Sequence, residues 1–358
     1  MSDLASELAD LTARLVEIPS VSQEEGDIAD FVERLLGRNP ALDVRRVGNN
    51  LVATMPGYDP GSGVILAGHL DTVPPFGPPG ARRDGGTVAG LGAVDMKGGV
   101  AVMCRMALEP PTVPVRLVFY AAEEISRVHS GLLQLEAAAP ELLSAGVAIL
   151  MEPTGGIVEA GCQGTAKFKV RIRGRRAHTA RPHMGVNAIH RAHRLLAWLD
   201  SAAVQEVEVE GCLYRPSLSA VSISGGVAGN VVPDEVEIQL NSRFAPTGDD
   251  EGSLAAVAES ISAVLDGARG DSVLLTDWAP SAPPNLSNPV IARLIQRTGG
   301  VRAKLGWTDV AFFWERGIAA CNFGPGDPEL AHTDSEVVAE EDLAAAWLSL
   351  REVLHSVG

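Results

Sequence analysis

The chain has 358 residues, of which 46% are hydrophobic and 21% are charged, so we expect a globular protein with two domains rather than one. Its 45 acidic and 29 basic residues give a formal net charge of −16, which argues against nucleic acid or an anionic membrane as the main partner. No apolar run approaches the roughly 18 residues of a membrane span, and the acidic start is unlike a signal peptide, so we expect a cytoplasmic location.

Residues 1–164 alternate helical and strand patterns, which is typical of a mostly parallel sheet with helices on both faces. The predicted helices lie around 4–15, 28–36 and 98–108. The predicted buried strands are the apolar runs at 64–68, 115–120 and 146–151. Pro and Gly are dense from Pro74 to Gly90, which predicts a loop. We therefore expect the first part of an α/β catalytic domain here.

The pattern changes near residue 165, where buried and exposed positions begin to alternate along the chain. Phe168, Val170 and Ile172 are separated by basic residues, which is the period of a half-exposed strand. Further strands are predicted at 204–210, 218–224, 235–244 and 272–278, and helices at 187–199 and 251–265. This predicts an inserted α+β domain with an antiparallel sheet over 165–278. The catalytic domain would resume over 279–358 and end in a helix from Glu341 to about His355.

Acidic and imidazole side chains stand at the ends of the three predicted buried strands. His69 and Asp71 follow the first strand, Glu123 and Glu124 the second, and Glu152 the third. In an open α/β sheet, ligands gather outside the carboxyl ends of the strands. We therefore expect these side chains to converge at one edge of the sheet.

Two residues outside those strands, Asp95 and His332, would complete a metal site. The five candidate ligands are His69, Asp95, Glu124, Glu152 and His332. Two metal ions that share a bridging carboxylate need about five ligands. Nitrogen and oxygen donors without thiolate suit zinc, and also cobalt or manganese. The residues therefore predict two divalent ions, with zinc preferred.

Neighbours of these ligands have predicted supporting roles. Asp71 could accept the second ring N–H of His69, and Glu123 could remain unligated and accept a proton from the attacking water. Taken singly, each motif has an ordinary alternative, since a Glu-Glu pair or a loop histidine such as His332 is more often a solvated surface group. Their convergence on one sheet edge favours a functional metal site.

Four segments of the chain resemble the signature of one family. They are Ala67–Pro74, Gly90–Gly99, Ala122–Glu124 and Met151–Thr154. In residues and in order they are similar to the dinuclear metallo-amidohydrolases, which include aminoacylases and dipeptidases, and the resemblance extends over essentially the whole chain.

The resemblance implies a role for each candidate ligand. Asp95 would bridge the two ions from a loop with a cis peptide between Asp95 and Met96. Glu124 and His332 would complete one ion, and His69 and Glu152 the other. Glu123 would act first as general base and then as acid.

The same resemblance implies that the insert is a lid and dimerisation domain, so we expect a homodimer. His178 lies in a segment similar to the family's histidine motif, whose histidine reaches the partner subunit's active site and stabilises an oxyanion. From the residues alone, a histidine after an Arg-rich strand is more often a surface residue.

Four further segments resemble the desuccinylase branch of the family. They are Val158–Thr165, Gly229–Asp234, Asn241–Pro246 and Phe323–Pro328. In that branch Asn230 and Arg243 would hold polar groups of the substrate, and an arginine fork suits a carboxylate. Arg243 could instead pair with an acid of the insert.

The expected activity is therefore metal-dependent hydrolysis of a small anionic N-acyl amino acid. A deacylase that resembles acetylornithine deacetylase, or a peptidase with the same core, is the alternative inside the family. A metal-free family member that only binds its ligand is the alternative from another class. A serine hydrolase is disfavoured because the chain has no Gly-x-Ser-x-Gly elbow.

Overall fold

The computed structural model describes residues 2–75, 77, 80–203 and 205–356, and the chain divides into two compact units. The first comprises Met1–Gly161, Pro284–Arg302 and Asp309–Gly358, and the second comprises Cys162–Pro283 and Ala303–Thr308. The roles of catalytic domain and lid remain predictions for these units.

The segment 303–308 is grouped with the second unit, although residues 284–302 separate it from the rest of that unit. It belongs to the second unit because its backbone and side chains bond there. The side-chain amide of Gln163 donates to the carbonyl of Leu305 at 3.0 Å, and the indole N–H of Trp307 donates to the carbonyl of Pro280 at 3.0 Å. Such contacts between distant segments have no local sequence signal.

The helices and strands are as follows. The α-helices are α1 (Ser2–Val16), α2 (Gly26–Leu36), α3 (Gly98–Leu108), α4 (Gly131–Ala138), α5 (Ala188–Ser201), α6 (Asp250–Val264), α7 (Pro289–Thr298), α8 (Val310–Trp314) and α9 (Glu340–Ser356). The strands are β1 (Asp43–Val47), β2 (Asn50–Thr54), β3 (Val64–His69), β4 (Arg82–Asp84), β5 (Thr87–Ala89), β6 (Val115–Tyr120), β7 (Val147–Leu150), β8 (Val158–Ala160), β9 (Gly164–Arg173), β10 (Val207–Val209), β11 (Cys212–Tyr214), β12 (Ser217–Gly225), β13 (Glu235–Phe244), β14 (Ser272–Ala279), β15 (Val301–Ala303), β16 (Ala319–Asn322) and β17 (Val337–Ala339). Short 3₁₀ turns occur at Arg127–His129, Pro140–Leu143, Pro182–Met184, Gly267–Arg269 and Pro328–Leu330.

An eight-stranded sheet forms the centre of the first unit, in the order β1-β2-β6-β3-β7-β16-β8-β15. The inner strands β6, β3, β7 and β16 pair in parallel, whereas β1, β2 and β8 pair antiparallel. Every residue of β3 and β6 is buried, so both faces of the central strands are covered, as continuous apolar strands require. The predicted α/β class is therefore confirmed, with the parallel pairing concentrated at the centre.

Close packing beside β3 sets the position of the strand end that carries His69. Helices α1, α3 and α9 bury their apolar faces with one side of the central strands in a single core. A Cβ atom added at Gly68 would lie 2.8 Å from the methyl carbon of Met96 and 3.0 Å from the sulfur of Met103. Glycine therefore lets α3 and the turn before it approach the strand closely.

The second unit is built on a four-stranded antiparallel sheet in the order β12-β13-β9-β14. Phe168, Val170 and Ile172 of β9 are buried in a core that includes α5 and α6. On the other face, Lys169 lies 3.2 Å from Glu237. The predicted antiparallel α+β insert is confirmed, because the alternation along β9 matches one covered and one polar face.

Two local predictions were wrong in part. The predicted loop from Pro74 to Gly90 contains the hairpin β4–β5, whose second strand pairs with the distant β17; residues 76, 78 and 79 lie outside the described chain. The predicted strand at 204–210 is reduced to β10, in a hairpin with β11, and residue 204 also lies outside the description. None of the described helices has both the length and the apolar character that a membrane crossing demands.

Candidate metal centre

His69 ends β3 and is almost fully buried, with 1% of its surface exposed. Its Nδ1 lies 3.0 Å from the main-chain carbonyl oxygen of Asp71, and its Nε2 lies 3.1 Å from Oδ1 of Asp95. A ring nitrogen that faces a carbonyl carries the proton, so Nε2 is the atom directed at the site. The predicted partner Asp71 thus supplies its carbonyl as the nearer acceptor, while its Oδ1 is 3.5 Å from the ring.

Asp95 lies in the irregular turn Ala93–Lys97, and the peptide bond that follows it is cis, as the resemblance predicted. One carboxylate oxygen faces Nε2 of His69. The other lies 3.4 Å from Nε2 of His332. The two oxygens of one carboxylate therefore face two different imidazoles, which is the arrangement that a bridging ligand needs.

The turn at 121–124 follows β6 and carries both predicted glutamates, and buried side chains bind all four of its consecutive main-chain N–H groups. The first donates to Oδ1 of Asn50 at 2.9 Å and the second to Oε1 of Glu25 at 3.1 Å. The last two donate to the two carboxylate oxygens of Asp71, each at 3.0 Å. Ala122 has a φ of +58°, a conformation that a residue with a Cβ atom adopts only where its surroundings fix it.

His332 reaches the same place from the loop after Pro328–Leu330. Its Nε2 lies 2.8 Å from Oε1 of Glu124. Hydrogen bonds with Asp95 and Glu124 raise the pKa of His332 to about 10, so these carboxylates favour a positive charge between them. Ligand atoms of His69, Asp95 and Glu124 also lie within 4.8 Å of one another. Four of the five predicted ligands therefore converge.

Glu123 and Glu152 lie next to this group rather than within it. Burial raises the pKa of Glu123 well above its usual value, and the charge of Glu152 raises it further, against the opposing effect of His69. Glu152 is 5% exposed and is not among the three residues with mutually close donor atoms. A partly buried glutamate whose pKa is raised suits proton transfer.

The remaining predicted residues, His178, Asn230 and Arg243, belong to the second unit. His178 and Asn230 are neighbours there, because the N–H of Thr179 donates to the carbonyl of Asn230 at 3.0 Å. Nδ1 of His178 accepts from the N–H of Ala180 at 3.0 Å. The neutral ring must then carry its proton on Nε2, so the exposed His178 can donate a hydrogen bond from that atom.

Arg243 is the second-last residue of β13 and lines a cavity of about 620 Å³ together with Trp198, Leu218 and Phe244. Burial lowers the pKa of Arg243, and no carboxylate of the second unit's described residues contributes to that pKa. Among the described residues of the insert, no acid is paired with Arg243, and its role in holding substrate remains a prediction.

The residues that hold the ligand loops were missed by the sequence reasoning. Besides Glu25 and Asn50, they are Ser22, which donates to Oδ2 of Asp71 at 2.7 Å, and Glu336, which accepts from the main chain of the Asp95 turn. Glu24-Glu25 reads as a solvated pair in sequence. Only Glu336 had a usable signal, since it lies four residues after a predicted ligand.

Comparison with known proteins identifies the family. Residues 65–356 match the model of peptidase family M20/M25/M40, and the chain belongs to that family, as its motifs predicted. A Corynebacterium glutamicum succinyl-diaminopimelate desuccinylase is 40% identical, with 98% of this chain and 97% of that protein covered. A Mycobacterium tuberculosis protein that provisionally carries the same enzyme name is 44% identical, with 99% of both covered. A tripeptidase structure from Staphylococcus aureus has a TM-score of 0.82 at 22% identity, with 98% of both chains covered.

The donor set fits divalent metal ions. Imidazole nitrogens and carboxylate oxygens meet at the sheet edge, and no thiolate belongs to the group. Burial opposes charge on His69, yet hydrogen bonds with Asp71 and Asp95 still raise its pKa well above the usual value. The surrounding carboxylates thus favour cations at both imidazoles, and zinc, cobalt and manganese all accept such ligands.

Glu24 and Glu25 are adjacent in sequence, and substituting each of them separately tests what holds the turn at 121–124. Glu25→Ala should lower the free energy of unfolding by about 1–3 kcal/mol, because it leaves a buried N–H without its acceptor. Glu24→Ala, at an exposed position, should change it by less than about 0.5 kcal/mol. Urea denaturation of both variants measures the difference. Equal stability of the two variants would show that Glu25 does not hold the turn.

Proposed function

We propose that this chain is a metal-dependent amide hydrolase that converts N-succinyl-L,L-diaminopimelate and water to succinate and L,L-diaminopimelate. The observation that carries the proposal is a partly buried Glu123 with a raised pKa beside converging His and carboxylate ligands. The names of the relatives at 40% and 44% identity support the substrate. We also propose a cytoplasmic location, where thiols stay reduced; the four described cysteines are buried and unbridged.

The proposed cofactor is a pair of divalent ions, zinc by preference and cobalt or manganese as alternatives. Asp95 would help to hold both ions. Glu124 and His332 would hold one, and His69 and Glu152 the other. When bound, such ions polarise an amide carbonyl and lower the pKa of water.

Glu123 performs the proton transfers in this proposal. Its carboxylate takes a proton from water as the water oxygen attacks the succinyl carbonyl carbon. It then gives that proton to the amine nitrogen as the carbon–nitrogen bond breaks, so succinate and a free amine result. The backbone bonds from the turn to Asp71 keep Glu123 in place while its charge changes.

Residues of the second unit recognise the substrate in this proposal. The guanidinium of Arg243 binds a substrate carboxylate through two parallel hydrogen bonds. No described acid of the insert competes for this guanidinium. Asn230 contributes an amide to another polar group. Nε2–H of His178 donates to the carbonyl oxygen as negative charge develops there.

We propose a homodimer in which His178 serves the site of the partner subunit. β12 is an edge strand of the antiparallel sheet, and Val221 and Ile223 on it are 64% and 51% exposed. An apolar, unpaired strand edge is a surface that a second copy can cover by a two-fold contact.

A peptidase activity is the second candidate, favoured by the fold shared with the staphylococcal tripeptidase. Substrate discrimination separates the candidates. We expect kcat/KM for N-succinyl-L,L-diaminopimelate to exceed that for N-acetylornithine and for tripeptides by about 100-fold or more, since a site built for a charged group rejects analogues that lack it. Preference for tripeptides would establish the second candidate.

Arg243→Lys should raise KM for the succinyl substrate about 10- to 100-fold, whereas the exposed Arg45→Lys should not.

Substitutions of the adjacent Glu123 and Glu124 distinguish the proposed general base from a proposed metal ligand. Glu123→Gln should keep both metal ions but lower kcat by about 100- to 10,000-fold, because only the proton acceptor is lost. Glu124→Gln should lower the bound metal as well. Metal analysis after gel filtration, with kcat measured on the same samples, checks both. Equal metal loss in the two variants would make Glu123 a ligand.

The contribution of the partner subunit is tested by complementation between two inactive variants. His178→Ala and Glu123→Gln should each be inactive alone. A mixed dimer has one site with an intact Glu123 that receives His178 from the other chain, so it should show about half the wild-type activity, given two-fold symmetry. Demonstrated subunit exchange without recovered activity would place His178 in its own chain's site, or outside catalysis.

A further inference from the structure

Glu336 is a buried carboxylate that lies behind the Asp95 turn. Its side chain is 3% exposed. One carboxylate oxygen, Oε1, accepts from the N–H of Val94 at 2.9 Å and from the N–H of Asp95 at 3.0 Å. Two consecutive main-chain donors of a ligand-bearing turn are therefore held by a single side-chain atom.

The main chain of Glu336 also contacts the segment that precedes the turn. The N–H of Gly90 donates to the carbonyl of Glu336 at 3.0 Å. Directly after Glu336, β17 pairs antiparallel with β5, in the register Val337 to Ala89. His332, whose imidazole faces Asp95, lies four residues before it on the same segment. Glu336 thus joins the segment that carries His332 to the turn that carries Asp95.

The buried charge of Glu336 has an opposite charge beside it. Lys97 is 2% exposed, and its charge interacts with that of Glu336. Its Nζ also donates to the carbonyl of Ile18 at 2.8 Å. Burial raises the pKa of Glu336, and the hydrogen bonds from the main-chain N–H groups oppose that rise. Either form of the side chain keeps an oxygen that can accept from Val94 and Asp95.

We infer that Glu336 is a positioning residue for metal binding: it touches neither substrate nor the ligand atoms, but it fixes the Asp95 turn against the segment that carries His332. This rests on the proposed function, since it assumes that Asp95 and His332 hold metal. Without the acceptor, the two N–H groups lose their partner and the turn is free to move. Removing a group that orients ligands typically weakens metal binding about 10- to 100-fold.

The test compares metal affinity in variants of one position. Zinc affinity of the metal-free protein is measured by competition with a chromophoric chelator. Glu336→Leu keeps the side chain's size but has no acceptor, and we expect about 10- to 100-fold weaker zinc binding. Glu336→Gln keeps an oxygen acceptor and should bind zinc within about threefold of wild type, an estimate that follows from one retained acceptor atom. Glu329→Leu, an exposed position on the same segment, is the matched control.

A second measurement separates positioning from general destabilisation. Hydrogen exchange of the peptide that contains Val94 and Asp95 should be faster in metal-free Glu336→Leu than in wild type, while peptides of β3 and β6 stay protected. If Glu336→Leu does not fold, Glu336→Asp, whose shorter side chain withdraws the oxygen from both N–H groups, should show the same faster exchange and weaker zinc binding.

The outcomes distinguish this inference from the proposed function. A wild-type protein that binds no zinc, cobalt or manganese would overturn the proposed function itself. A wild type that binds metal, with Glu336→Leu of equal affinity and equal exchange, would overturn the role of Glu336 alone. Loss of affinity in Glu336→Gln equal to that in Glu336→Leu would also overturn it, because the acceptor would then not be the cause.

Discussion

The candidate site depends on one kind of interaction, a buried side-chain oxygen that receives main-chain N–H groups from a ligand-bearing turn. Asp71, Glu25 and Asn50 do this for the turn at 121–124, and Glu336 does it for the turn that carries Asp95. These turns lie beyond the ends of strands, where no ladder of sheet hydrogen bonds can fix them. Ionised acceptors make the stronger hydrogen bonds, so carboxylates are suited to holding such turns rigidly.

The ligand carboxylates that these turns carry favour the binding of cations at the site. Asp95 and Glu124 converge in a place that the sheet and its turns keep largely buried, and carboxylates at close range disfavour one another's charge. Hydrogen bonds to the acids raise the pKa values of both His69 and His332, so a positive charge on either imidazole is favoured there. Divalent ions would neutralise the carboxylate charges more fully than the imidazoles do. Asp71 does not add to this repulsion between carboxylates, because its two oxygens already accept hydrogen bonds from two N–H groups and from the hydroxyl of Ser22.

Much of this could be predicted from the sequence, and the reason is topological. The apolar runs that became β3, β6 and β7 are continuous and buried, so their ends had to meet at one edge, and His69, Glu123 and Glu152 follow directly. The alternation in β9 likewise predicted a half-covered antiparallel sheet. Helix α7 was missed although Asn288 caps it and Pro289 occupies its first turn, a signal that the prolines around it obscured.

The rest could not be predicted because it depends on contacts between distant segments. Glu25 and the turn at 121–124 are about a hundred residues apart, and Glu336 lies 241 positions from Asp95. Local patterns report the periodicity of one segment, so they identify strand ends and therefore ligands, but not the groups that hold those ligands. A buried glutamate that accepts from main-chain N–H groups of a distant turn looks in sequence like any solvated acid. Its role becomes visible only when its burial and the unsatisfied donors of a neighbouring turn are considered together.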